Sequence, residues 1–225
     1  MSSSNLPDSN AARHGAGEID LTAMMAAHDA FRRDLVSLAT TASKSNLSDP
    51  VQQLAIFNGW GVFKRQLLQH HRSEDSFLWP PLREKLRGSV SGMSTLDAME
   101  AEHELIDPLL AGVDAAFEKP EVTEAMLADV IDELVTKLTF HLGHEEKDTL
   151  PMIGEYMTQQ EWAQVTNNIR AAGNVKDAVE MVPWIVDGLP PERKAKVIGT
   201  YPPIVAQKFE AEWKPLYYST PHWTA

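Results

Sequence analysis

Four stretches of this sequence carry apolar residues at alternating intervals of three and four, and that spacing admits one kind of regular element. Residues so spaced line one side of a helix, whereas a strand would need strict alternation. The first stretch runs from about Ile19 to Ser43, with Leu21, Met24, Met25, His28, Phe31, Leu35 and Leu38 on its stripe. The second opens at Asp49-Pro50, an N-cap before a proline at the first helical position. It carries Ile56, Trp60, Phe63, Leu67, His70, Glu74 and Phe77, and Pro80-Pro81 is expected to end it. The third begins near Ser94, where Ser-Thr-Leu-Asp has the form of a capping box, and lines up Leu96, Met99, His103, Ile106, Leu110, Val113 and Phe117. Pro108 lies within that run and is expected to kink it without ending it, because the periodicity continues beyond. The fourth follows Lys119-Pro120, has Thr123 as its cap, carries Leu127, Val130, Leu134, Leu138, His141 and Glu145, and closes at Pro151. Amphipathic helices joined by short links predict an all-α, up-down-up-down four-helix bundle over residues 19–155.

The flanks are less regular. Residues 1–18, rich in Ser, Asn, Ala and Gly, are expected to be a disordered tail, without the apolar run of a signal peptide. Thr158-Gln-Gln-Glu161 is a capping box that opens a short helix, after which Pro183, Pro190-Pro191 and Pro202-Pro203 are expected to cut the chain into pieces. Residues 156–225 thus read as a C-terminal helical extension rich in Trp and Tyr. The whole chain has a net charge of −12, but from Leu189 to Ala225 five basic residues face three acidic ones. Such a tail is expected to clamp across the bundle, with a lid over the site or a homodimer contact as the other uses of its aromatics. The overall acidity repels phosphate backbones and argues against a nucleic-acid partner. No run approaches the ~18 apolar residues of a membrane span, so no membrane partner is expected and the reading is of a cytoplasmic protein.

The chemistry lies in a repeat. His70-His-Arg-Ser-Glu74-Asp-Ser-Phe-Leu-Trp-Pro80 aligns without gaps on His141-Leu-Gly-His-Glu145-Glu-Lys-Asp-Thr-Leu-Pro151. The shared pattern is His, three residues, Glu, an acid, four residues and Pro. The first and third helices each add one histidine on the apolar stripe, His28 and His103. In each hairpin the paired histidines lie about 16 to 20 residues from the turn, which at ~1.5 Å per residue returns them to the same level. A histidine and a glutamate four residues apart share a helix face. Four histidines and two carboxylates are therefore expected to converge in the interior.

One histidine on an apolar stripe is ordinarily a hydrogen-bonded core residue. Four on four stripes, with Glu74 and Glu145 also facing inward, demand more, because buried carboxylates are costly unless paired or metal-bound. Two divalent cations bridged by the carboxylates and capped by the imidazoles satisfy all six groups. Without any cysteine, ligands are confined to nitrogen and oxygen, a set that suits iron, with manganese or zinc also compatible. A ferritin-like centre needs Glu-x-x-His on two helices, and only Glu100-Ala-Glu-His103 fits; a zinc peptidase needs His-Glu-x-x-His, and His103-Glu-Leu-Ile-Asp107 falls short.

The ordered set of His28, His70-x-x-x-Glu74 with a following acid and Trp-Pro, His103, and His141-x-x-x-Glu145 resembles the hemerythrin HHE cation-binding domain over about residues 20–155. The resemblance implies two non-heme iron ions with an oxo or hydroxo bridge, and a small ligand such as dioxygen, hydrogen peroxide or nitric oxide. By position, Glu74 and Glu145 would bridge the irons, with His28 and His70 on one and His103 and His141 on the other. Oxygen-carrying members have His-x-x-x-His on the third helix, whereas here His103 is followed by Asp107. His71 or Asp107 would have to fill that place, and His144, which aligns with Ser73, reads as a supporting residue. Three functions stay open: a module that binds or senses the small ligand, an enzyme that turns over peroxide, nitric oxide or an organic substrate, and a bundle that metal only orders.

Overall fold

The computed structural model describes residues 19–44, 49–118 and 124–223, and every regular element among them is helical. The tail 1–18, the Lys119-Pro120 boundary and the expected cap Thr123 lie outside the described residues. Helix α1 (Thr22–Lys44) opens where the Asp20 side chain accepts the Thr22 amide. Helix α2 (Pro50–Ser73) has the expected start: Asp49 accepts the Val51 amide and Pro50 takes the position whose amide needs no partner.

Pro80-Pro81 and Pro151 act differently from expectation. Helix α2 does not stop at Pro80-Pro81; it widens into a π turn (Glu74–Leu78) and continues as α3 (Trp79–Lys85). Past α4 (Val90–Glu118), α5 (Glu124–His144) does the same, passing through a π turn (Glu145–Thr149) into α6 (Leu150–Tyr156), so Pro151 does not close it. The Trp79 amide bonds to the Glu74 carbonyl and the Leu150 amide to the Glu145 carbonyl, each one residue before a proline. A proline ring has no N–H and collides with the carbonyl four residues earlier. One extra residue in the turn relieves that collision without breaking the rod. The inserted residue also shifts the phase of the apolar stripe. Leu78 and Trp79 are buried in the core, and Phe77, expected there, is only half-buried.

Helix α4 begins earlier than Ser94. Ser89 caps it, accepting the Gly92 amide on its hydroxyl, and the helix runs unbroken through Pro108. Helices α1 and α4 both pack against α2 and α5, which closes the four long helices into a ring of neighbours.

The C-terminal segment is helical too: α7 (Gln159–Ala172), α8 (Val175–Val186), α9 (Pro191–Gly199), α10 (Pro203–Lys208), a π turn (Phe209–Trp213) and α11 (Lys214–Ser219). The Thr158–Glu161 capping box forms, and Asn174 with Asp177 makes a second. Pro190-Pro191 and Pro202-Pro203 open α9 and α10, but Pro183 lies inside α8 and cuts nothing. The third π turn again precedes a proline by one residue, here Lys214-Pro215. Helix α8 packs on α1 and α2, and Trp184 is buried against Phe31 with ring centres 5.0 Å apart.

Two apolar clusters result. One holds Phe31, Trp60, Phe63, Leu134, Leu138 and, from the C-terminal segment, Trp184, Phe209, Trp213 and Tyr217. The other holds Leu78, Trp79, Leu82, Met99, Leu150 and Ile153. Between them lies a layer of buried polar side chains drawn from all four long helices and their π turns.

Candidate metal centre

Every histidine and glutamate expected in the interior is in that layer. His28, His141 and Glu145 are fully buried, His103 and Glu74 nearly so, and the His70 side chain keeps 12 % of its exposure. The donors fall into two groups, within each of which one ligand atom per residue lies within 4.8 Å of the others. His28, His70, Glu74 and Glu145 form one, and His71, His103 and His141 form the other. The Glu74 carboxylate joins them, lying 3.1 Å from His70 Nε2 and 3.5 Å from His103 Nε2. Glu145 lies 3.2 Å from His28 Nε2.

Of the two residues that the sequence left open on this side, His71 lies inside the layer. It is buried and its ring stacks on His103 with centres 4.0 Å apart. Asp107 stays exposed and pairs with His71 Nδ1 at 3.1 Å. An imidazole from α2 thus stands against that of His103 on α4, and Asp107 of α4 bonds to its outer nitrogen.

Three other histidines have the same support. Nδ1 of His28 bonds to Glu146 at 2.9 Å, Nδ1 of His103 to Asp75 at 2.9 Å, and Nδ1 of His141 to Glu102 at 2.8 Å. A proton held on Nδ1 by a carboxylate leaves Nε2 with a lone pair pointing inward, the arrangement common to metal-ligating histidines. Asp75 and Glu146 are the acids that follow Glu74 and Glu145 in the repeat. Each reaches across to a histidine of the other hairpin, because the π turn carries the glutamate and the next residue round to adjacent faces. The repeat displayed both acids, but nothing in one chain of letters told which histidine each would meet. Glu102 carried no such signal. It also accepts from His144 Nδ1 at 2.7 Å, which places His144 behind the layer as expected.

The inward atoms are the ones left over. Nε2 of His28, His70 and His71, and all four carboxylate oxygens of Glu74 and Glu145, are buried without a hydrogen-bond partner. Nε2 of His103 and His141 face each other at 3.2 Å, a meeting of lone pairs that a cation between them makes favourable. Burial pushes the Glu74 carboxyl well above its ordinary range, with the charges of Glu145 and Asp75 adding to the effect. Burial opposes charge on His28 too, but Glu145 and Glu146 outweigh it and lift the imidazole to about 9. Burial and neighbouring imidazoles drive His70 and His71 well below their usual range, although Glu145 pulls His70 the other way. Unpartnered buried carboxylates and lone pairs in one layer are costly unless a cation gathers them. The donor set fits a metal.

Residues 20–153 match the hemerythrin HHE cation-binding domain. The chain belongs to that family. The histidines and glutamates of this hemerythrin domain can hold metal ions. A BRUTUS-like zinc finger protein of Arabidopsis thaliana is 22% identical over 192 residues, covering 82% of this chain and 15% of that protein. The chain therefore spans only a small part of that relative's length. No solved structure gives a significant match. Among the described residues no helix is long and apolar enough to cross a membrane.

Proposed function

We propose that this hemerythrin domain holds two iron ions, one in each donor group with Glu74 and Glu145 shared, and binds dioxygen or a related small ligand such as peroxide or nitric oxide. The observation that carries this reading is the layer of buried, partnerless nitrogen and oxygen atoms, with four imidazoles oriented by carboxylates on their outer nitrogens. Iron in such a nitrogen and oxygen set supplies electrons to a small ligand and takes them back. The chain itself supplies the rest. His28, His71, His103 and His141 are held in one tautomer, Glu74 and Glu145 neutralise positive charge, and the apolar clusters on both sides keep bulk water away.

His71 favours binding over turnover. An iron short of one imidazole would favour turnover, whereas with His71 the donors number five imidazoles and two carboxylates. Metal analysis with optical spectra before and after exposure to air or peroxide tests the reading. About two irons per chain are expected, with ferric charge-transfer absorption in the near ultraviolet. Glu74→Ala or Glu145→Ala should lose both ions, and His28→Ala should weaken mainly one. Full loading without either glutamate would rule out the shared assignment.

A further inference from the structure

A file of aromatic rings leaves the candidate centre. The His70 ring lies 5.2 Å from Phe31, and Phe31 lies 5.0 Å from Trp184 and 5.9 Å from Phe63, which stacks on Trp60 at 5.6 Å. Two tryptophans, both buried, thus lie on two branches that start at one site histidine. Each has its indole N–H on a carboxylate. Trp184 Nε1 donates to Asp34 Oδ2 at 2.7 Å and Trp60 Nε1 donates to Asp114 Oδ1 at 2.7 Å. Asp34 is buried and also meets Arg33 and Trp223; Asp114 is partly exposed and also meets Lys64. Indole loses an electron far more readily when a base accepts its N–H proton. Burial raises the Asp34 carboxyl above its ordinary range against the pull of Arg33, which makes it the better base.

We propose that Trp184 and Trp60 are one-electron donors that drain oxidising equivalents from the centre when hydrogen peroxide reacts there. The inference rests on the iron reading given above. Peroxide becomes two waters by taking up two electrons and two protons from solvent. One electron comes from Trp184 through Phe31, and its indole proton passes to Asp34. The other comes from Trp60 through Phe63 and Phe31, and its proton passes to Asp114. Each tryptophan is left as a neutral indolyl radical, and O–O is the bond that breaks. Trp79 is the internal contrast, fully buried but with its indole nitrogen unpartnered and no carboxylate to take a proton.

The experiment uses the full iron-loaded chain, mixed with one equivalent of hydrogen peroxide per iron pair, frozen rapidly and read by electron paramagnetic resonance. Iron content is measured on every sample. An organic radical is expected that narrows when the tryptophans are ring-deuterated. Its intensity should fall by about half in Trp184→Phe and in Trp60→Phe, and vanish in the double variant. Asp34→Asn can still accept the indole hydrogen bond but takes no proton, so it should remove the Trp184 share, which a merely structural carboxylate would not. Repeated peroxide treatment of the wild-type chain gives a second readout that needs no variant. Mass spectrometry should find oxygenated Trp184 and Trp60 at least fivefold above Trp79. A radical undiminished in the double variant, or iron-loaded protein that consumes peroxide with no indole radical and no such preference, overturns the relay alone. A chain that takes up no iron overturns both readings.

Discussion

His71 on α2 stacks on His103 of α4, while Asp107 of α4 reaches back to it. The carboxylate accepts from His71 Nδ1 at 3.1 Å and keeps its own exposure, so its work is to orient an imidazole. Asp107→Asn retains an acceptor for that proton, and metal loading should stay near wild type. Asp107→Ala removes it and should weaken metal binding by about 10- to 100-fold, as loss of such supporting partners does. Metal titration of the two variants decides the point, and a large loss in Asp107→Asn would instead make Asp107 a ligand. The same residue scale explains why Asp75 and Glu146 follow the two glutamates. Each fixes the tautomer of a histidine from the opposite hairpin, at 2.9 Å in both cases.

The element that makes this exchange possible is the π turn. Three of them occur among the described residues, and each closes one residue before a proline. Replacing Pro80 or Pro151 by Ala restores a backbone donor and removes the ring collision, so an ordinary α-helical turn becomes accessible. Closing up by one residue would rotate the acid after the glutamate away from its histidine. Pro80→Ala and Pro151→Ala should therefore keep helical circular dichroism while metal affinity falls by about tenfold, the lower end of the loss expected for a supporting partner. Unchanged affinity in both would show that side-chain packing alone holds the π turns.

For the whole molecule, the polar layer sets a stability cost that metal offsets. In metal-free protein His28 is lifted from 6.5 to about 9, so the stability it contributes is complete below 6.5 and lost as pH rises through about 9. Glu74, raised above 4.5, works in the same direction, because the folded chain holds its proton longer than the unfolded one. His70 and His71 are lowered, and their opposing contribution is finished once pH exceeds 6.5. Glu145, held at about 2, loses its contribution only in acid. Chelated protein should thus melt lower at pH 9 than at pH 7, and equal melting temperatures would contradict the buried arrangement. The C-terminal segment matters on this scale as well. The family match ends at residue 153, but Trp184, Phe209 and Trp213 lie in the same core as Phe31 and Phe63. Trp184→Ala should cost about 3–5 kcal/mol in denaturant unfolding, the range for emptying a buried aromatic site.

Spacing alone determined the four helices, because a 3.6-residue period can bury a stripe in only one way. It also determined that His28, His70, Glu74, His103, His141 and Glu145 share a level, since hairpin lengths at a fixed rise leave little choice. The Asp49 cap and the Thr158 box were local and equally legible. Pro80-Pro81, Pro151 and Pro183 depart from expectation for a physical reason. The rule that they end helices treats a collision as fatal, and packing on both sides of Glu74 and Glu145 makes it cheaper to widen one turn than to leave the bundle. His71 against Asp107, and the partners of Asp75, Glu102 and Glu146, are distances between helices. No period within one helix encodes the rotation of its neighbour. Only the assembled bundle decided them.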